Sequence, residues 1–387
     1  MRYFHYFAIA CALLGVACAQ DTPSAEKQIV QLQTRVTIDP NNANVHYQLG
    51  HAYLSLGRFA EGASQLKDAV RLSKKHALAH RDLGWALYQL QEYQEAEPWL
   101  LKALEMKPRD RATLSSLSAV YISQKRYRDA VDLLKPFADT GRGTVKIHNN
   151  LAVAYQHMGL HRLAMKQLQQ ALIKKRDSAE THSNLGVLLE KTGKAEAALA
   201  EYQTALRLDP GHGSAHFNLA VALTRQANPH EALDHFRLAL KAHPGDPETL
   251  AGLGWTYHTL NQYPQAIGYY EESVRRSPSN LQAQQALGEL WDITQHYDRA
   301  IAAYENATGL APDAPDNYYH LGRLSDHLKA GPQAIAYMAL AETLYRKIQN
   351  EEMAAHCRKN ISILAGKYKL KKAEVRRLIQ VRQPVTG

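Results

Sequence analysis

His157 and His161 stand four residues apart, the spacing at which two imidazoles on one helical turn can share a metal ion. Gly159 between them marks a turn, and no neighbouring Asp or Glu completes the three or four ligands that a zinc site needs. Asp139-Thr140-Gly141 carries the short signature of aspartic proteases but falls between two helical segments, not in a β-rich fold. The chain has no HExxH, no phosphate loop and no GxSxG. Five further histidines, His46, His80, His148, His182 and His216, are separated by whole multiples of 34 residues, too far apart to gather one metal. Their expected role is packing, with a polar tip at the surface. These residues point to a non-enzyme with no catalytic residue, no metal and no cofactor.

The 34-residue interval governs most of the chain. Leu recurs at 49, 83, 117, 151, 185, 219, 253, 287 and 321, each followed by Gly, Ala or Ser. Thirteen residues past each Leu stands a small residue, from Gly62 and Ala96 to Ala334, and four further on a large apolar one, such as Leu66, Leu100, Tyr202, Phe236 or Met338. Pro108, Pro210, Pro244, Pro278 and Pro312 close several units where a helix must stop. Apolar groups three or four apart share one helical face, and the small residues let two helices approach closely. One such pair cannot bury its face alone, so stability must come from stacked neighbours.

This pattern resembles the tetratricopeptide repeat, a 34-residue helix-turn-helix with Leu-Gly in its first helix and Ala-x-x-x-Phe in its second. The resemblance implies an all-α, right-handed superhelical solenoid of about nine repeats with helical caps. The expected organisation is a signal peptide at 1–19, a linker and capping helix at 20–42, repeats at 43–348, a C-terminal capping helix at 349–365 and a basic tail at 366–387. Two departures stand out: the Trp that opens the family pattern is replaced by His, Leu, Gln or Tyr, and the third unit has Phe137 where Ala is usual. Pro136 and Gly141-Arg142-Gly143 predict an irregular second helix there and a softer joint to unit four.

In such an array the first helices line the concave side. With the recurrent Leu as position 7, positions 2, 5, 6, 9, 12 and 13 form the stripe left over from packing. Position 6 presents Asn150, Asn184 and Asn218 in three consecutive units, beside Val153, Val187 and Val221 at position 9. An amide both donates and accepts, so a row of them can pair with the backbone of an extended peptide. Trp85 and Tyr88 in unit two and Trp255 and His258 in unit seven are candidate aromatic anchors. Lys191 and Arg225 share the stripe with Lys146, Glu180 and Glu190, a mixed charge that argues against a nucleic-acid groove. Some relatives in the family grip a terminal carboxylate with Lys at position 5 and Asn at position 9; Arg81 is present, but no such Lys or Asn, which speaks against that function.

The expected function is therefore an exported, non-catalytic scaffold holding an extended protein segment, in envelope assembly, secretion, or pilus or polysaccharide export. The alternatives are a docking subunit of an envelope enzyme system and anionic-surface binding through the basic tail. No small-molecule substrate is expected.

With 45% hydrophobic and 21% charged residues in 387, the chain is neither a disordered tail nor a membrane bundle. Its formal charge of +9 is concentrated: Lys367 to Arg382 carries a net +6, leaving the body near neutral. At the other end Arg2 and His5 precede the apolar run 7–17, which ends in Ala17-Cys18-Ala19, a small-x-small cleavage site. Cys18 as the lipidated first residue of a bacterial lipoprotein is the rival reading, with Gly15 standing where that pattern has a large aliphatic. The expected location is periplasmic or secreted, with membrane contact only through such an anchor or the tail. Removal of 1–19 would leave Cys357 as the sole cysteine, with no intramolecular disulfide to form.

Overall fold

The computed structural model describes residues 22–381 of the chain. The segment 1–19 with Cys18, and Arg382 of the tail, lie outside the described residues. Among the described residues there are 21 α-helices and no strand. α1 (Thr22–Ile38) leads into nine helix pairs in chain order: α2 (Ala43–Ser55) and α3 (Phe59–Leu72), α4 (Ala77–Gln89) and α5 (Tyr93–Met106), α6 (Arg111–Ser123) and α7 (Tyr127–Asp139), α8 (Val145–His157) and α9 (His161–Lys174), α10 (Ala179–Lys191) and α11 (Ala195–Leu208), α12 (Gly213–Arg225) and α13 (Pro229–Ala242), α14 (Pro247–Thr259) and α15 (Tyr263–Arg276), α16 (Leu281–Ile293) and α17 (Tyr297–Leu310), α18 (Pro315–His327) and α19 (Gly331–Lys347). α20 (Glu351–Lys367) and α21 (Lys372–Val381) follow. The all-α repeat expected from the sequence is the observed fold.

Local chemistry sets each boundary. Asp110, Ser178 and Asp246 cap first helices, their side chains accepting the backbone N–H three residues on at 3.0, 3.3 and 2.8 Å. The turn between the two helices of each repeat places one residue in the left-handed region, at 57, 91, 125, 159, 193, 227, 261, 295 and 329. Glycine takes it in three repeats; Gln91 and Asn261 are among the side chains that take it elsewhere. The small residue after each Leu marks where the two helices touch. A Cβ on Gly84 would lie 2.5 Å from Leu100 Cγ, and one on Gly186 2.5 Å from Tyr202 Cε1, both partners being fully buried. Pro136 is accommodated inside α7, which at 13 residues is one shorter than α5 or α9.

The helices form two compact units divided between Asn218 and Leu219, within α12. In the first, α1 packs on α2, each helix up to α11 packs on a sequence neighbour, and the first helices α2, α4, α6, α8 and α10 also pack on one another. That second set of contacts places the first helices on the inner side of this unit. In the second, α13 to α20 pack in sequence, α14 touches α16, and α21 lies on α19. Part of the segment expected as a basic tail is therefore helix with a packing partner. No described helix is long and apolar enough to cross a membrane.

Three of the five repeated histidines join the two helices of their repeat, whereas His80 Nδ1 meets His76 O at 3.0 Å at the start of its own helix. His46 Nδ1 meets Gln65 Oε1 at 2.9 Å, His148 Nδ1 meets Gln167 Oε1 at 2.8 Å and His182 Nδ1 meets Glu201 Oε2 at 2.6 Å, each partner 19 residues on in the second helix. The opposite nitrogen reaches a carbonyl six residues back in the preceding connection: Pro40 for His46, Arg176 for His182 and Pro210 for His216. His148 lacks this second bond, its Nε2 being buried without a partner against Gly143, where a Cβ would approach to 2.6 Å.

Candidate partner-binding face

The inner face is built on α2, α4, α6, α8 and α10 in the first unit, and it is not uniformly open. Every residue from Thr113 to Ile122 in α6 and from Ile147 to Gln156 in α8 is buried. Ser115, Ser116, Ser118 and Ala119 are small enough for neighbouring first helices to close over them. Beyond α8 the packing loosens, and Asn184, Val187, Glu190 and Lys191 on α10 are half-buried.

This difference separates the three asparagines. Asn150 is 6% exposed, and its Nδ2 donates to Ser115 O at 3.0 Å and Ser118 Oγ at 2.8 Å. Both amide hydrogens are spent on the preceding repeat, so Asn150 braces two repeats and cannot donate to a peptide, a correction to its sequence assignment. Asn218 is half-buried, with Nδ2 3.5 Å from Ser183 Oγ, the outer limit of a hydrogen bond. Asn184 makes no side-chain hydrogen bond among the described residues. Of the expected apolar floor, Val153 is 8% exposed while Val187 is half-buried.

The aromatic candidates divide in a similar way. Trp85 is half-buried with its ring edge-on to Phe59 at 5.4 Å. Tyr88 is 4% exposed and lies in the core against Tyr93, so it is no anchor. Position 12 lies one helical turn beyond the small residue at position 8, on the side facing the second helix. Leu54, at the same position, fills the space over Gly62. In the second unit Trp255 is half-buried against the Ala251–Tyr270 core, His258 is half-buried edge-on to Tyr263 at 5.9 Å, Val221 is buried and Arg225 is exposed.

Charges on the first unit's face are partly stripped of water. Burial pushes Lys191 below its usual range, with Glu190 opposing, and does the same to Lys146 with Glu180 opposing. Burial pushes the Glu180 carboxyl upward against the pull of Lys146. Cation and carboxylate here leave a balanced, weakly hydrated surface suited to polar backbone rather than to a polyanion.

A charged cluster near the start of the array escaped the sequence reading, although an acid at position 6 among amides was its signal. Asp82, 6% exposed, accepts from Arg81 Nε at 2.7 Å and pairs with His51 Nδ1 at 3.0 Å. The Tyr47 ring stacks on His51 at 5.9 Å, and burial beside Asp82 pushes its hydroxyl up to about 12. The Asp82 bond raises His51 above its usual 6.5, against burial. Burial alone would raise Asp82, but the bonds to His51 and Arg81 outweigh it and hold the carboxyl below 3.8. The His51 contribution is thus present below 6.5 and lost as pH rises through its raised value, whereas that of Asp82 is present above 3.8 and lost as pH falls through its lowered one. Asp82→Asn is expected to move the His51 titration, followed by NMR, downward; an unshifted curve would disprove the coupling.

Among the described residues no group of three or more His, Cys, Asp or Glu side chains is placed to hold a metal ion. His157, the suggestive neighbour of His161, stacks face to face on Tyr127 at 4.6 Å.

Models of the tetratricopeptide repeat match residues 47–111, 183–247 and 294–347 and, through a second model, 223–290. Together they cover more than half of the chain. No curated protein matches it. Among solved structures the chain is similar to one in the crystal structure of the APC/C hetero-tetramer Cut9-Hcn1, with a TM-score of 0.61 and 13% identity over 87% of this chain and 81% of that one. It is also similar to the crystal structure of MamA, with a TM-score of 0.40 and 20% identity over 42% of this chain and 96% of that one. At such identity the first likeness shows a shared fold.

Proposed function

The chain belongs to the tetratricopeptide repeat family, whose members are typically non-catalytic interaction scaffolds, and on that premise we propose that it holds an extended segment of a partner protein on the inner face of α10 and its neighbours. The carrying observation is Asn184, an amide half-buried on that face with no side-chain hydrogen bond among the described residues. Its amide atoms keep contact with solvent, and a peptide backbone can take the place of that water with both a donor and an acceptor. Val187 beside it offers apolar contact, and the Lys191 ammonium adds a weakly hydrated donor. Trp85 and Trp255 are anchors of their respective units.

The scaffold acts without chemistry of its own. It is exported through the segment 1–19 and serves envelope assembly, secretion, or pilus or polysaccharide export. Partners recovered from envelope extract by the wild type should be lost with Asn184→Ala/Lys191→Ala at unchanged thermal stability. Equal recovery of every partner by both proteins would reject this face. Fractionation of a Cys18→Ser variant tests the lipid anchor: release from the membrane fraction supports it, and unchanged retention counts against it.

A further inference from the structure

The basic segment at the C-terminal end is a built part of the fold. Left-handed turn residues recur at Lys329, Gln349 and Lys369, so the turns leading into α19, α20 and α21 follow one another at a 20-residue interval. Tyr368 locks the last turn: its ring lies so close to Gly331 that a Cβ there would approach to 2.3 Å, and its hydroxyl donates to Asp326 Oδ1 at 2.7 Å. Lys367 Nζ reaches the same carboxylate at 2.6 Å. Leu370, Val375, Leu378 and Ile379 pack against the core of α19 and α20, which settles the direction α21 faces.

The cations are what remains outside. Lys369, Lys371, Lys372, Arg376 and Arg377 are all exposed, and none makes an ion pair among the described residues. The one acid among them, Glu374, accepts the backbone N–H of Lys371 at 2.7 Å. This arrangement works against the helix. Lys371 and Lys372 sit at the positive end of its dipole, and Lys372 and Arg376 are like charges one turn apart. Packing of the apolar side offsets that cost, leaving a fixed and uncompensated cationic face.

We infer that the outer face of α21 is a docking surface for the anionic headgroups of a lipid bilayer, bound by charge alone. A convex cluster of Lys and Arg on one helix suits a plane of headgroups. A nucleic-acid strand would need a groove or stacking rings, and the one aromatic of this segment, Tyr368, is turned against Gly331. Amphipathic membrane helices insert their apolar side, but here that side is occupied by the protein's own core, so α21 lies on the headgroups without entering them.

The test is co-sedimentation of the full chain with vesicles of phosphatidylcholine alone or mixed with phosphatidylglycerol. The pure vesicles report any contribution of the apolar run 7–17, which every variant shares. Binding specific to the mixed vesicles, abolished at ~1 M salt, is expected. At about fivefold per charge, Lys371→Gln/Lys372→Gln/Arg376→Gln/Arg377→Gln should weaken it at least about a hundredfold. Arg376→Lys/Arg377→Lys should bind like the wild type, and all variants should share its thermal transition. Equal binding to both vesicle types, full binding by the neutralised variant, or tighter binding to poly-glutamate or duplex DNA than to mixed vesicles would each overturn the inference.

Discussion

Phe236→Ala is expected to lower the stability of the second unit by about 3–5 kcal/mol, the usual cost of emptying a fully buried aromatic site. Phe236 has no exposed surface, and its ring occupies the space that a side chain at position 252 would take. A Cβ on Gly252 would lie 2.4 Å from Phe236 Cε1 and 2.6 Å from Cζ. Position 6, which carries Asn in repeats four to six, is Gly here because α13 fills the place with a ring. Gly252→Asn should consequently not extend the amide row but overpack the joint, at about 1–3 kcal/mol. Because the two residues share one contact, Phe236→Leu/Gly252→Ala should be less destabilised than the sum of its single changes. Urea denaturation of the wild type and these five variants measures the differences. A Phe236→Ala loss below about 1 kcal/mol would show that the site collapses or was never tightly filled.

Much of this was legible in the chain because a 34-residue period leaves little freedom. The recurrent Leu and the small residue after it specify where two helices touch, and the caps at Asp110, Ser178 and Asp246 set where they begin. Which face of a first helix stays open was less legible. Tyr88 shares a stripe with Trp85 by angle alone, yet it lies one turn above Gly84 and so belongs to the core. α6 is closed by its neighbours because Ser115, Ser116 and Ser118 are small, a property of three helices that no single repeat displays. The C-terminal segment misled through its charge. Val375, Leu378 and Ile379 already had the spacing of a packed helical face, but the surrounding cations drew the reading toward a tail.

Asn150 and Asn184 should respond in opposite ways to the same substitution, although the sequence presents them as equivalent. Asn150→Ala removes two buried hydrogen bonds between α6 and α8, so a loss of about 1–3 kcal/mol is expected. Asn184→Ala removes none, and its stability should stay within about 0.5 kcal/mol of the wild type. In partner binding the order reverses. Losing the Asn184 amide should cost about 1 kcal/mol, or roughly fivefold in affinity, whereas folded Asn150→Ala should bind as the wild type does. Thermal denaturation and affinity for the recovered partner, measured on the same two proteins, separate the roles. If Asn150→Ala weakened binding as much as Asn184→Ala at a temperature where both are folded, the amides would act as one row, and the closure of α6 and α8 would have to open when the partner arrives. If Asn184→Ala left affinity unchanged, the free amide would be a solvated surface group, and the partner would have to be sought at the tryptophan of either unit.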